Sequence, residues 1–127
     1  MTWVTTDAVP ASVNLSVVNS GSASKPNDLV FKVSPQSSAG GVFDCSGLSQ
    51  VDGYADAGAT ATPPTVNHTT PTVVLADATG VILKFTGTQL QAMVSALGNG
   101  PLRLSLVGTQ GIEQLLAYGT ITIKAVT

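Results

Sequence analysis

Charge, cysteine, histidine and aromatic rings are all scarce in this chain, and each shortage removes a class of function. Only 9% of the 127 residues are charged, with a formal balance of −2, so polarity rests on Thr, Ser, Asn and Gln. The five basic residues, Lys25, Lys32, Lys84, Arg103 and Lys124, are scattered. Nucleic-acid binding needs several phosphates neutralised together, because counterions released by clustered Lys and Arg supply most of its affinity. No nucleic-acid partner is therefore expected. Cys45 is the sole cysteine, which excludes an intrachain disulfide, a zinc cluster and a redox pair. It is expected as a small buried apolar side chain. No run of about 20 apolar residues is present to span a bilayer. Met1–Asp7 has neither positive charge nor a continuous apolar stretch, so neither a standard secretory leader nor a membrane partner is expected.

Catalytic parts are equally thin. His68 is the only histidine, and within Val66-Asn67-His68-Thr69-Thr70 it is expected in a solvated loop, with Asp77 its nearest acid in sequence. A hydrolytic triad gathers a nucleophile, a base and an orienting carboxylate, and a metal site takes several nitrogen or sulfur ligands. Asp44, Asp52, Asp56 and Asp77 raise two alternatives, since paired carboxylates define glycosidases and oxygen-rich loops bind calcium. Asp52-Gly53-Tyr54-Ala55-Asp56 has neither the acidic density nor the length of an EF-hand loop. These acids are expected in turns, accepting bonds from nearby backbone amides. Gly40-Gly41 and Gly98-Asn99-Gly100 lack the spacing and the Lys of a phosphate-cradling loop. The expectation is a chain that is not an enzyme, with no catalytic residue, no cofactor and no metal.

What the chain does possess is alternation. Val13, Leu15 and Val17, and then Leu29, Phe31 and Val33, recur every second residue and predict half-buried strands. Residues 19–28 collect turn formers and predict a loop. Short strands are predicted at Val42-Phe43 and over 48–54, split by Gly47 and Gly53. Residues 55–72 carry Gly58, Pro63, Pro64 and Pro71 and predict a long exposed loop, because each proline lacks a ladder donor. Val73-Val74-Leu75, the turn Asp77–Gly80 and the alternation of Val81, Leu83 and Phe85 predict a hairpin, and Ile82 makes its second face partly apolar. Leu90, Met93, Val94 and Leu97 share one helical face and predict a short helix over about 88–97, capped by Thr86 or Thr88 and ended by Gly98. Leu102, Leu104 and Leu106 predict a strand, Gly108–Gly111 a turn, and 112–124 a final strand with Ile121 and Ile123 on one side and Thr120 and Thr122 on the other. Strands at this spacing indicate an antiparallel β-sandwich with one crossover helix. The expected organisation is an N-terminal arm over 1–10 and one sandwich domain over 11–127.

Five residues stand out as possible partner contacts. Trp3, with Val4 beside it, lies in the otherwise polar arm, where a large aromatic either packs back on the domain or anchors the arm to a partner. Pro63, Pro64 and His68 lie in the expected 55–72 loop. Low charge suits close packing against neighbouring subunits or display on an assembly.

The second half resembles a known module. Asp77 and Gly80 form an Asp-x-x-Gly turn, Val81 to Phe85 a strand, Thr86 and Gln89 a Thr-x-x-Gln helix start, Gly100, Leu102 and Arg103 a Gly-led strand, and Leu115, Leu116 and Gly119–Ile123 a closing strand. Over about fifty residues this is similar to the immunoglobulin-like sandwich at the N-terminus of phage baseplate upper proteins and in small phage particle proteins. The first half departs from that pattern with a longer loop. The resemblance implies an immunoglobulin-like fold and a structural role in the virion, on the capsid exterior after assembly in the bacterial host cytoplasm. It further implies a homo-oligomer, a trimer among the forms, bound to the major capsid protein or another virion protein. A baseplate adaptor would continue into a distal region, whereas no further domain is expected here, which favours a decoration or cement protein. The alternative is a tail, baseplate or fibre-associated adaptor that contacts other tail proteins, or host surface glycans through the 55–72 loop.

Overall fold

Alternating burial sets two sheets face to face. The computed structural model describes residues 8–19, 27–56, 66–97, 100–110 and 112–125. Its elements in chain order are β1 (Ala8–Val9), β2 (Ala11–Asn19), β3 (Leu29–Val33), β4 (Gln36–Ser37), β5 (Gln50–Asp56), β6 (Val66–Thr69), β7 (Thr72–Asp77), β8 (Gly80–Phe85), α1 (Gly87–Leu97), β9 (Gly100–Gln110) and β10 (Ile112–Ala125). One sheet has the order β2-β10-β9-β5-β6, the second β3-β8-β7, and β1 pairs with β4 in a small third ladder. From the larger sheet Val51, Ala55, Leu102, Leu104, Leu106, Ile121 and Ile123 point inward; from the smaller, Val33, Val81, Leu83 and Phe85 meet them in one buried cluster. Burying each such Val, Leu, Ile or Phe side chain contributes about 1.5–3 kcal/mol.

This order is that of an immunoglobulin-like sandwich. β3, β8 and β7 take the places of strands B, E and D, and β10, β9 and β5 those of G, F and C, with β6 added at the edge as in variable-type domains. The helix α1 carries the chain from β8 in one sheet to β9 in the other. It starts in a capping box: the Gln89 N–H donates to Thr86 Oγ1 at 3.2 Å, and the Thr86 N–H donates to Gln89 Oε1 at 2.9 Å. The Gly87 N–H donates to the Asp28 carboxylate at 2.7 Å, placing negative charge at the positive end of the helix. Leu90 and Met93 are fully buried, and Val94 and Leu97 pack on the cluster. The predicted stripe is thus the face that docks, and Thr86 rather than Thr88 is the cap.

Four expectations need correction. The sandwich is not wholly antiparallel, because β2 lies parallel to β10, with Val13 opposite Gly119. Gly119 permits that approach, since a Cβ there would run into the Val13 carbonyl. The expected 55–72 loop is interrupted: residues 55–56 complete β5, and Val66–Thr69 form β6, paired antiparallel with it. The expected turn at 108–111 is tighter, since β9 reaches Gln110 and β10 starts at Ile112. Val42 makes only a single bridge, to Gln36. Of the expected arm, residues 1–7 lie outside the described residues, while Ala8–Val9 form β1, tied down when the Ala8 N–H donates to Gln114 Oε1 at 2.6 Å.

Candidate functional site

The outward positions of the two sheets form two surfaces of different chemistry. On the five-stranded sheet, register aligns one row across every strand: Ser12, Tyr118, Ser105, Tyr54 and His68. Both tyrosines of the chain are in this row and both are exposed, Tyr118 by 52% and Tyr54 by 38%. His68 stacks on Tyr54 with ring centroids 4.8 Å apart and planes inclined by 18°. The adjacent row holds Asn14, Thr120, Arg103 and Asp56. In it Arg103 Nε donates to Asp56 Oδ1 at 2.7 Å, and Thr120 Oγ1 donates to Asn14 Oδ1 at 3.0 Å. The Asp56 carboxylate raises the Arg103 pKa above its ordinary value, so the guanidinium stays charged. Between the two rows an open cleft of about 340 Å³ is lined by Asp56, Arg103, Leu104, Ser105, Tyr118 and Gly119.

At the other end of this face Asp52 is buried although it points outward, because neighbours cover it. Its carboxylate accepts from Gln50 Nε2 at 2.9 and 3.0 Å, from His68 Nε2 at 3.0 Å and from Thr70 Oγ1 at 3.0 Å. These donors, Gln50 first, hold the Asp52 carboxyl below the usual carboxylate range. His68 keeps the solvent exposure expected from sequence, 53% of its side chain, but it is not a loop residue. It stands on β6 and donates to Asp52 across the β5–β6 pair. A His–Asp pair is two parts of a hydrolytic triad, but the Thr70 hydroxyl bonds the same carboxylate oxygen instead of offering itself to the imidazole. The geometry pins an edge strand and the segment beyond it to β5.

The turn role expected of the acids divides in two. Asp77 accepts from the Thr79 hydroxyl at 2.6 Å and its backbone N–H at 2.8 Å, and Asp44 accepts from the Ser46 N–H at 2.9 Å. The Thr79 bonds lower the Asp77 carboxyl, and the Ser46 side chain, followed by its N–H, lowers that of Asp44. Asp52 and Asp56, by contrast, belong to β5. Cys45 is buried, and that burial raises its thiol pKa. Among the described residues, no group of three or more His, Cys, Asp or Glu side chains gathers to hold a metal ion.

The three-stranded sheet presents aliphatic side chains instead. Its outward positions are Val30 and Lys32 on β3, Ile82 and Lys84 on β8, and Thr72 and Leu75 on β7. The β7–β8 register shifts between Val73 and Leu75, and with that irregularity Val74 and Leu75 are both in solvent. Val30, Val74 and Leu75 are 57%, 54% and 51% exposed. Lys32 leans away to the hairpin turn, where its Nζ donates to Thr79 Oγ1 at 2.9 Å.

No family model matches the chain, and no curated protein is significantly similar to it. The surfaces themselves therefore carry the functional reading. Of the residues singled out as partner contacts, Trp3, Val4, Pro63 and Pro64 lie outside the described residues, and His68 joins the Asp52 network. Sequence reasoning passed over Tyr54, Tyr118 and the Arg103–Asp56 pair. Their signal was alternation: with Val51 and Ala55 inward, Tyr54 and Asp56 must face out.

Proposed function

We propose that this chain is a non-enzymatic structural protein of a phage particle, a decoration or cement protein bound to the major capsid protein on the capsid exterior. The observation that carries the reading is the aliphatic outer face of the β3-β8-β7 sheet, where Val30, Ile82, Val74 and Leu75 sit on a stiff surface with two lysines. Exposed apolar area of this kind is stabilised when a partner covers it, and interface cores are depleted in charge. The 9% charged composition leaves little repulsion between copies packed on a lattice. The resemblance of residues 77–123 to phage particle modules supports the same role, as a homo-oligomer such as a trimer. A protein of this kind adds interface area rather than chemistry.

A second reading, a tail, baseplate or fibre-associated adaptor, is favoured by the aromatic row on the opposite sheet. Mixing the purified protein with stripped capsids tests the first reading. Saturable binding is expected, with the protein present in purified heads; its absence from heads, with labelling on tails of intact particles, selects the adaptor.

A further inference from the structure

The cleft on the five-stranded sheet has no part in capsid docking by the opposite face, and its chemistry is specific. We infer that it is a binding site for a neutral saccharide, held between Tyr118 and the Arg103–Asp56 pair. Three observations converge on that ligand class. Its volume of about 340 Å³ stands at the small end of ligand pockets, which run from about 300 to 1,000 Å³ and suit a compact ligand unit. One wall is Tyr118, half exposed on a stiff strand, an apolar ring against which the C–H face of a pyranose packs. The polar groups are a guanidinium with five N–H donors, one of them bonded to Asp56 at 2.7 Å, together with the Ser105 hydroxyl. Sugar hydroxyls donate and accept, so they match a carboxylate, a guanidinium and a hydroxyl held together.

The other ligand classes fit poorly. Asp56 compensates the Arg103 charge, so the cleft has no excess positive charge for a phosphate or other anion. A purely apolar ligand would strip water from an ion pair without replacing its hydrogen bonds. An extended peptide adds to a sheet edge, yet β5, β9 and β10 are interior strands whose neighbours already pair on both sides. The proposed site stands whether the particle carries the protein on its head or its tail.

The test is a two-dimensional amide NMR titration of the full chain with maltohexaose, cellohexaose and chitohexaose, and with 3′-sialyllactose as the anionic comparator. At least one neutral oligosaccharide is expected to shift the amides of Asp56, Arg103, Ser105, Tyr118 and Gly119 saturably. Tyr118→Ala and Arg103→Gln should each weaken that binding at least tenfold, while Leu75→Ser on the opposite sheet leaves it unchanged. Retained amide dispersion reports the fold of each variant, and Arg103→Gln carries the test if Tyr118→Ala does not fold. The site is overturned if none of the three neutral oligosaccharides saturates by about 10 mM. Shifts that map elsewhere, binding that survives these substitutions, or preference for the sialylated sugar overturn it equally.

Discussion

The two outer faces of the sandwich arise from one alternation, yet they leave different chemistry in the water. The three-stranded sheet exposes branched aliphatic side chains, Val30, Val74 and Leu75, with Ile82 between them. The five-stranded sheet exposes hydroxyls, an ion pair and both tyrosines, and it covers its one buried carboxylate with three donor side chains. Cover would stabilise the apolar side chains of the first face, whereas the polar groups of the second are already paired or hydrated. The shared interior constrains only the inward positions, so each outward set is free to carry its own function.

Breaking the interior should erase the comparison, because both faces hang on it. Phe85 is fully buried and stacks on Phe31 with centroids 5.7 Å apart. Phe85→Ala is expected to cost about 3–5 kcal/mol in a urea unfolding curve. Val74→Asp with Leu75→Asp should separate the faces instead: unfolding free energy within about 1 kcal/mol of the parent, but capsid binding weakened about a hundredfold, read from co-sedimentation.

A smaller effect belongs to the polar face alone. Asp52→Ala leaves Gln50, His68 and Thr70 without their shared acceptor and is expected to cost about 1–3 kcal/mol. The same carboxylate makes stability pH-dependent. Its folded pKa lies below the ordinary 3.8, so its contribution is complete above that value and is lost as pH falls through the folded-state value. Comparing urea midpoints at neutral and acid pH should show Asp52→Asn with a shallower acid decline than the parent. The decline should not vanish, because Asp44 and Asp77 are lowered too. Thr86→Ala, which removes the helix cap between the sheets, should cost about 1 kcal/mol by thermal melting and leave both faces intact.

Much of this fold is legible in the chain because apolar period and burial coincide. The Leu102, Leu104 and Leu106 series and the Ile121 and Ile123 pair all point inward, and Leu90 and Met93 dock the helix where their spacing predicts. The β5–β6 pair is hidden because Gly53 and Ala55 replace large apolar residues on the inward side of β5, and the prolines before β6 signal a loop. Gly53 is small for a reason visible only in three dimensions, since a Cβ there would lie 3.1 Å from the Thr69 carbonyl and 3.2 Å from the Phe85 ring. The parallel β2–β10 pairing joins residues more than a hundred positions apart, and local patterning carries no information on such register. The candidate site is less legible than the core: His68 finds Asp52 only through strand pairing, and Tyr54 and Tyr118 share a row only because both lie opposite Ser105 of β9.

The most direct measurement is a cryo-electron-microscopy reconstruction of phage heads decorated with this protein. The expected map shows the β3-β8-β7 sheet against the capsid, with Val30, Val74 and Leu75 buried and Tyr54 and Tyr118 facing solvent. A map with the five-stranded sheet against the lattice, or heads that carry no density for the protein, would contradict the proposed division between the two faces.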